Sequence, residues 1–284
     1  MKVDLSNAII FWRRYRKNTP AAAGVCIVLT AGVLALVAPY VASHDPFAMS
    51  PDKAFESPSL NALFGTDQFG RDVFSRVVWG TRVTLFIGFV ASSISALVGT
   101  LLGSSAGYFG GKIDDLVMRI ADLFLTIPIF FLILVIVAAF GPSIWNVMVV
   151  IGLTVWPGTA RLVRGQFLSV KEREFVQAAI AVGARPTHII FKEILPNAVH
   201  PAIVDSSLLV ARSVLIEAAL SFLGLGDPNQ VSWGWMLHDA FRFYQTAWWM
   251  AIFPGLAISI TVVAFNLIGD GLSDALNPRL KERR

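Results

Sequence analysis

Long apolar stretches alternate with short polar ones along most of this chain. Six of the apolar stretches are about 20 residues or longer, which lets a helix cross the roughly 30 Å of hydrocarbon in a bilayer. They cover residues 21–42, 83–106, 116–140, 144–163, 201–223 and 249–269. The pattern therefore predicts an all-α integral membrane protein with six transmembrane helices.

Prolines fall inside two of these stretches and change what we expect of them. Pro128 lies in the middle of the third span and should kink that helix. The sequence Trp156-Pro157-Gly158 interrupts the fourth span. The boundaries of the fourth span, about residues 144 and 163, are therefore the least definite of the six.

A basic tail, residues 1–20, precedes the first span. A cleaved signal peptide is the alternative interpretation, because Val41-Ala42-Ser43 loosely resembles a cleavage site. However, the apolar run of residues 21–42 is longer than the roughly 7–15 residues of a signal-peptide core. We predict an uncleaved first span that follows a cytoplasmic tail.

The polar loop of residues 43–81 ends in an amphipathic pattern. One arc of a helical wheel holds Phe69, Val73, Phe74, Val77 and Val78, and the opposite arc holds Arg71, Asp72, Ser75 and Arg76. Thr66 or Asp67 can cap such a helix. The pattern predicts an interfacial helix that lies on the outer surface just before the second span.

The polar stretch from Lys171 to Asn197 separates the fourth span from the fifth and carries too many charges for a hydrocarbon segment. Apolar residues share a face on either side of a break: Phe175, Val176, Ala179 and Ile180 before it, and Ile189, Ile190, Ile194 and Leu195 after it. Gly183 suits the end of the first helix, Pro186 the start of the second, and Pro196 its end. We predict two short amphipathic helices that form a docking surface.

Composition and charge placement support a membrane protein and orient it. The chain is 55% hydrophobic and 15% charged, whereas about a quarter of the residues in soluble domains are charged. With the tail inside, 17 basic residues lie on the inner side and 5 in the outer loops. The positive-inside rule therefore places both termini and the stretch 171–197 in the cytoplasm.

The sequence offers little for catalysis or metal binding. The one cysteine, Cys26, lies in an apolar run, and the four histidines show no ligand spacing. The phosphate-binding pattern GxxxxGK[ST] does not occur in the sequence. We expect no enzymatic activity, no metal and no cofactor bound by this chain.

The fifth span contains three charged residues, Asp205, Arg212 and Glu217. An ionised group at mid-bilayer costs on the order of 3 kcal/mol, so each should face a wet or paired interior. Asp205 and Arg212 share a helical face but lie about 10 Å apart along the axis. The three residues either line a translocation path or form buried ion pairs with other helices.

Four phrases of the sequence resemble ABC-importer permeases. Gln177-Ala178-Ala179, Gly183 and Leu195-Pro196 resemble the EAA loop that couples such permeases to their ATPases. Three phrases, GTDQFGRDVFSR, EAALSFLGLGDPNQVSWGWML and IGDGLSDALNPRL, resemble segments of the dipeptide, oligopeptide and nickel permeases. Gln177 stands where the pattern has Glu, Glu193 where it often has Ile, and Asn277 where Asp is usual. The chain is identified as a member of this family, of the dipeptide-permease C type.

The resemblance implies a type I importer-like permease with a division of the chain into functional segments. Residues 21–82 would form the first span and the external loop, residues 83–276 the permease domain with its coupling loop 171–197, and residues 277–284 a cytoplasmic tail. ATPase coupling would fall to Gln177, Ala178, Ala179, Gly183, Ile194, Leu195 and Pro196. Contact with an external binding protein is assigned to Thr66, Asp67, Arg71 and Asp72, for which a structural cap on the bundle is the alternative.

The resemblance also implies partners and a substrate class. These are a second permease, two ATPases that hold ATP and Mg²⁺, and an extracytoplasmic solute-binding protein, all at the cell membrane. Di- or oligopeptides are the expected substrates, and nickel, glutathione or oligosaccharides are the alternatives. A secondary transporter is the alternative class, but it predicts inverted repeats and none is evident.

Overall fold

The computed structural model describes residues 15–276. Residues 1–14 of the predicted tail 1–20 and the whole predicted tail 277–284, with Asn277, lie outside the described residues. The long helices are α1 (Thr19–Val41), α2 (Val73–Phe109), α3 (Gly111–Thr126), α4 (Ile129–Phe140), α5 (Ile144–Lys171), α9 (His200–Phe222) and α11 (Trp249–Leu276). The short ones are α6 (Glu174–Ala181), α7 (Pro186–His188), α8 (Leu195–Ala198) and α10 (Trp233–Ala240), with a π-helical segment, Ile189–Ile194, between α7 and α8. Within residues 15–276 all regular elements are helical, which confirms the all-α fold class.

Four helices in the described part of the chain are long and apolar enough to cross a membrane: α1, α2, α5 and α11. The bent pair α3–α4 would make a fifth span. Helix α9 has 23 residues, but every 18-residue window in it contains Asp205, Arg212 and Glu217, so it is less apolar. The six predicted spans thus correspond to these four helices, the bent pair and the charged helix α9.

The second span is longer than the sequence pattern predicts. Helix α2 runs unbroken over 37 residues, about 55 Å, so it extends beyond the hydrocarbon. The prediction of a separate interfacial helix before this span is therefore wrong. Gly80, near the predicted junction, is covered by Trp233, and this close contact holds the continuous helix in place.

The two prolines act differently from what their positions suggest. Helices α3 and α4 meet at 87°, so the third span is broken rather than kinked. The residue before a proline is pushed towards an extended conformation, and Ile127 has ψ 130°. By contrast, α5 continues through the buried Pro157 to Lys171, eight residues past the predicted end. Neighbouring helices can hold a proline-containing helix together when one hydrogen bond is lost.

Helices α2 and α5 form the most extensive helix contact in the described part of the chain. A Cβ at Gly99 would lie 2.7 Å from Cβ of Thr159, and one at Gly103 would collide with the carbonyl of Ala160. Small residues allow this approach, which favours helix association in membranes. The pair forms a frame that carries residues 174–198 at one end and residues 42–72 at the other, which are called the inner hairpin and the outer loop after their predicted sides of the membrane.

Candidate functional site

The inner hairpin, residues 174–198, begins with the turn that the sequence predicts. Gly183 follows α6 with φ +77°, and the Ala184 N–H donates to the Ala179 carbonyl at 3.1 Å. The Gly183 N–H donates to the Ile180 carbonyl at 2.9 Å, which completes a Schellman motif. The prediction that Gly183 ends the first helix and that Pro186 opens the next is confirmed.

One face of the hairpin is anchored to the inner end of α5. Val176, Ile189 and Ile194 are buried and pack in one cluster with Phe167 and Val170 of α5. Burial of such side chains stabilises a structure by about 1.5–3 kcal/mol each. The hairpin is therefore a rigid extension of the transmembrane bundle.

The opposite face of the hairpin is apolar and exposed. Phe175 and Ile180 are 40% and 41% exposed, Val182 is 82% exposed and Phe191 57%. Phe175 and Ile180 share the face of α6 that carries Val176, as expected, but they lie at its two edges and are partly exposed. A surface of this composition is typical of a site that another protein covers.

The residues assigned to coupling divide between the two faces. Gln177, Ala178 and Gly183 are exposed, and a Cβ at Gly183 would meet nothing within 4 Å. Ala179 is half-buried within the chain, as are Leu195 and Pro196. Ile194 is fully buried in the anchoring cluster, so direct contact with a partner does not fit its position.

Pro196 does not stop the second helix, contrary to the prediction. It lies in α8, which follows the π-helical segment without a break, and the Leu195 N–H just before it donates to the Ile190 carbonyl. After the single residue Val199, the chain enters α9 directly. The hairpin is thus joined to both α5 and α9 by very short connections.

Ion pairs tie the inner end of α5 to α3. Arg164 Nη2 lies 2.6 Å from Asp114 Oδ2, and Arg161 pairs with Asp122. Lys171 Nζ donates to the Tyr108 carbonyl at the end of α2, at 2.8 Å. The helix that carries the hairpin is therefore connected to both of its neighbours.

A buried charge cluster, Asp67, Arg71, Arg76 and Asp239, holds the outer loop to α10. Arg71 Nη2 lies 2.9 Å from Asp239 Oδ2, and its Nε also pairs with Asp67. Arg76 lies 3.4 Å from Asp239. Their side chains are 17% exposed or less. The sequence analysis missed Asp239, because no local pattern connects it with a loop far upstream.

The remaining polar residues of the outer loop are also engaged inside the chain. Asp72 caps α2 and accepts from the Ser75 N–H at 2.8 Å, and Thr66 accepts from the Glu56 N–H at 2.8 Å. The Trp249 indole donates to the Thr66 carbonyl at 3.0 Å. Thr66, Asp67, Arg71 and Asp72 are all buried. Their assignment to direct contact with an external protein does not fit this burial, and the alternative of a structural cap does.

The three charged residues of α9 have different surroundings. Asp205 accepts from the Thr159 hydroxyl at 2.7 Å, and the buried Glu217 accepts from the Ser221 hydroxyl at 2.7 Å. Arg212 is exposed, and none of the ion pairs or hydrogen bonds within residues 15–276 includes it. In the described part of the chain the three residues form no ion pair with one another or with other residues, and ion pairing with helices of another subunit stays a prediction.

Comparisons with known proteins agree with this architecture. The family described as "Binding-protein-dependent transport system inner membrane component" matches residues 99–282. The family described as "N-terminal TM domain of oligopeptide transport permease C" matches residues 6–58. Together the two matches include the first and the last of the long helices, α1 and α11.

Curated relatives match over nearly the whole length. The dipeptide transport system permease protein DppC of Alkalihalophilus pseudofirmus is 41% identical over 98% of this chain and 93% of its own length. DppC of Bacillus subtilis is 40% identical over 95% and 85%. The probable D,D-dipeptide transport system permease protein DdpC of Escherichia coli is 38% identical over 93% and 89%.

A solved structure shares the fold. A chain of the MetNI methionine ABC transporter in an inward-facing conformation aligns with a TM-score of 0.58 and 22% identity. The alignment covers 69% of this chain and 93% of that chain. At this identity the likeness shows the fold alone, and the fold is that of a type I importer permease.

Proposed function

This chain belongs to the family of binding-protein-dependent transport system inner membrane components, and we propose that it is one of two permease subunits in an ATP-driven importer of dipeptides or other short peptides. It is an ABC-importer permease of the dipeptide, oligopeptide and nickel group. The peptide substrate is inferred from the names of relatives that are about 40% identical. Nickel, glutathione and oligosaccharides are the alternative substrates.

The inner hairpin carries the proposal that this chain is driven by separate ATPases. Its exposed surface has two small residues, Ala178 and Gly183, together with the larger apolar side chains Ile180 and Val182. Such a face suits the groove of a partner ATPase that holds ATP and Mg²⁺. Because the other face is locked to α5, movement of the ATPase is transmitted to the transmembrane helices.

The membrane orientation also belongs to this proposal. Asn18, at the start of α1, donates to Asp274 near the end of α11 at 3.1 Å. His200, just after the hairpin, lines a cavity together with Ser273 and Leu276 of α11. Both ends of the bundle and the hairpin thus lie on one side of the membrane. The excess of basic residues supports assigning that side to the cytoplasm, in a cell-membrane protein with several spans.

Reconstitution of the complete transporter tests this function. The chain is co-purified with its second permease and ATPases and placed in liposomes with the solute-binding protein. We expect ATP hydrolysis and uptake to rise when the binding protein carries a dipeptide, and not when it is offered nickel, glutathione or an oligosaccharide. Stimulation by one of those three alone would replace the peptide assignment, and failure to bind an ATPase would refute the coupling role.

A further inference from the structure

Arg212 lies at the middle of α9, the thirteenth of its 23 residues. Its side chain is exposed, and within residues 15–276 no carboxylate or carbonyl accepts from it. A charged arginine facing hydrocarbon at this depth is strongly unfavourable. Arg212 therefore faces either a water-filled space or an anionic group supplied by another molecule.

The two faces of α9 show which side is open. On one face Val210 and Val214 pack so tightly against α2 that a Cβ at Gly88 would lie 2.8 Å from Cγ2 of Val214. On another face Asp205, Leu208 and Arg212 follow one another at helical spacing and are only partly covered. Leu208 packs against Gly269 of α11, so α11 covers part of this face, whereas the charged side chain of Arg212 is exposed.

This open face continues into a cavity towards the inner side. A cavity of about 360 Å³ lies between α5, α9 and α11 and is lined by Asp205 and Leu208. Leu208 is one helical turn from Arg212. Arg212 itself does not line this cavity, but the cavity, which is large enough for several water molecules, comes within one helical turn of it.

We propose that Arg212 is a substrate-binding residue of the translocation path and that it holds the terminal carboxylate of the peptide. The inference rests on the proposed function. Every free peptide carries one such carboxylate whatever its side chains, and the planar guanidinium binds carboxylates through two parallel hydrogen bonds. A site that recognises this group accepts peptides of different sequence, as an importer of short peptides requires. Lipid phosphates lie at the helix ends rather than the middle, so they do not fit this position.

A cysteine introduced at position 212 tests the proposal in the assembled, reconstituted complex. In a Cys26→Ala background, Arg212→Cys should still assemble with the second permease and the ATPases and should lower uptake by about tenfold or more, because a charge-assisted hydrogen bond is lost. Treatment with an aminoethyl thiosulfonate, which restores a positive charge, should recover much of the uptake. A neutral methyl thiosulfonate should not.

Two further measurements separate a substrate contact from a general effect of charge. Trapping the Arg212→Cys complex with peptide-loaded binding protein should slow modification of the introduced thiol, whereas unloaded binding protein should not. Leu215→Cys, which is on the next turn and 48% exposed as leucine, is the matched control. Adding an aminoethyl group there should not raise uptake.

Several results would overturn the proposal. Loss of the second permease on purification of Arg212→Cys would mean that Arg212 pairs with an acid of that subunit. Inaccessibility of the introduced thiol to the polar reagent, normal uptake by the variant, or charge rescue without peptide protection would each exclude a carboxylate site. Whatever the result for Arg212, the proposed function is tested separately. Its tests are the binding of the ATPase to the hairpin and the stimulation of ATP hydrolysis by the loaded binding protein.

Discussion

The guanidinium of Arg71 lies 2.9 Å from the carboxylate of Asp239, a residue 168 positions further along the chain. This pair joins the loop before α2 to the helix before α11, so it closes the outer end of the bundle. Asp67 and Arg76 complete the cluster, and all four side chains are largely buried. The outer loop is therefore a fixed part of the fold rather than a helix lying on the membrane surface.

Removal of Asp239 should destabilise the protein strongly. Asp239→Ala leaves two buried arginines with one remaining carboxylate, and stranding a buried charge costs about 3–5 kcal/mol. Thermal unfolding in detergent should occur at a clearly lower temperature than in the unchanged protein. Asp52→Ala, which removes an exposed carboxylate from the same loop, is the control and should have no effect. Equal stability of both variants would contradict the role of the cluster.

Bulk at Gly183 should uncouple the transporter without unfolding it. Gly183→Trp fills the open space at the turn, and displacing the centre of an interface costs about 2 kcal/mol or more, about 30-fold in affinity. We expect the two permeases to co-purify while the ATPase is lost and uptake falls.

Gly141→Trp provides the matched control for Gly183→Trp. Gly141 also has positive φ, +90°, and a Cβ there also meets nothing within 4 Å. It lies at the other end of the bundle, between α4 and α5, so Gly141→Trp adds the same bulk at a position of positive φ away from the hairpin. Retention of the ATPase by Gly183→Trp, or its loss from Gly141→Trp, would argue against docking at the hairpin.

The contact between α2 and α5 should not tolerate a single added methyl group. Gly103→Ala forces a Cβ into the carbonyl of Ala160, and overpacking costs about 1–3 kcal/mol. Gly158→Ala, where a Cβ meets nothing within 4 Å, should be neutral or stabilise the helix by up to about 1 kcal/mol. Yield and unfolding temperature of the two variants in detergent measure the difference, and a result in the reverse order would be inconsistent with this packing.

Single cysteines should report the orientation of the chain. In a Cys26→Ala background, cysteines replacing Asn61 and Asn229, both exposed, should react with an impermeant thiol reagent added to intact cells. A cysteine replacing the exposed Thr187 of the hairpin should react only after the inner face is opened. Reaction of the Thr187→Cys variant in intact cells would reverse the orientation and remove the ATPase from reach of the hairpin.

Local chemistry in the sequence was sufficient for several features. Each apolar run corresponds to helical structure, although not always to one helix or to its exact ends, because in a bilayer the backbone must satisfy its own hydrogen bonds and only a helix does so within one segment. Gly183 and Pro186 determine the turn of the hairpin through their own backbone chemistry. Gly183 tolerates positive φ, and Pro186 has no N–H to donate. These preferences depend on a few neighbouring atoms, so they can be recognised in the chain itself.

Features that depend on distant partners were decided only by the tertiary structure. Pro128 separates two helices at 87° while Pro157 lies inside one continuous helix, because the surrounding helices determine whether a lost hydrogen bond opens the chain. The amphipathic pattern around Arg71 shows that this segment has an apolar face and a polar face. It does not show that the polar face is buried in ion pairs with Asp239. The sequence likewise places Arg212 in a span, and only the packing of α9 shows that residues 15–276 supply it no partner. In each case the free energy of a charged or proline residue depends on groups far away in the chain, which no local pattern contains.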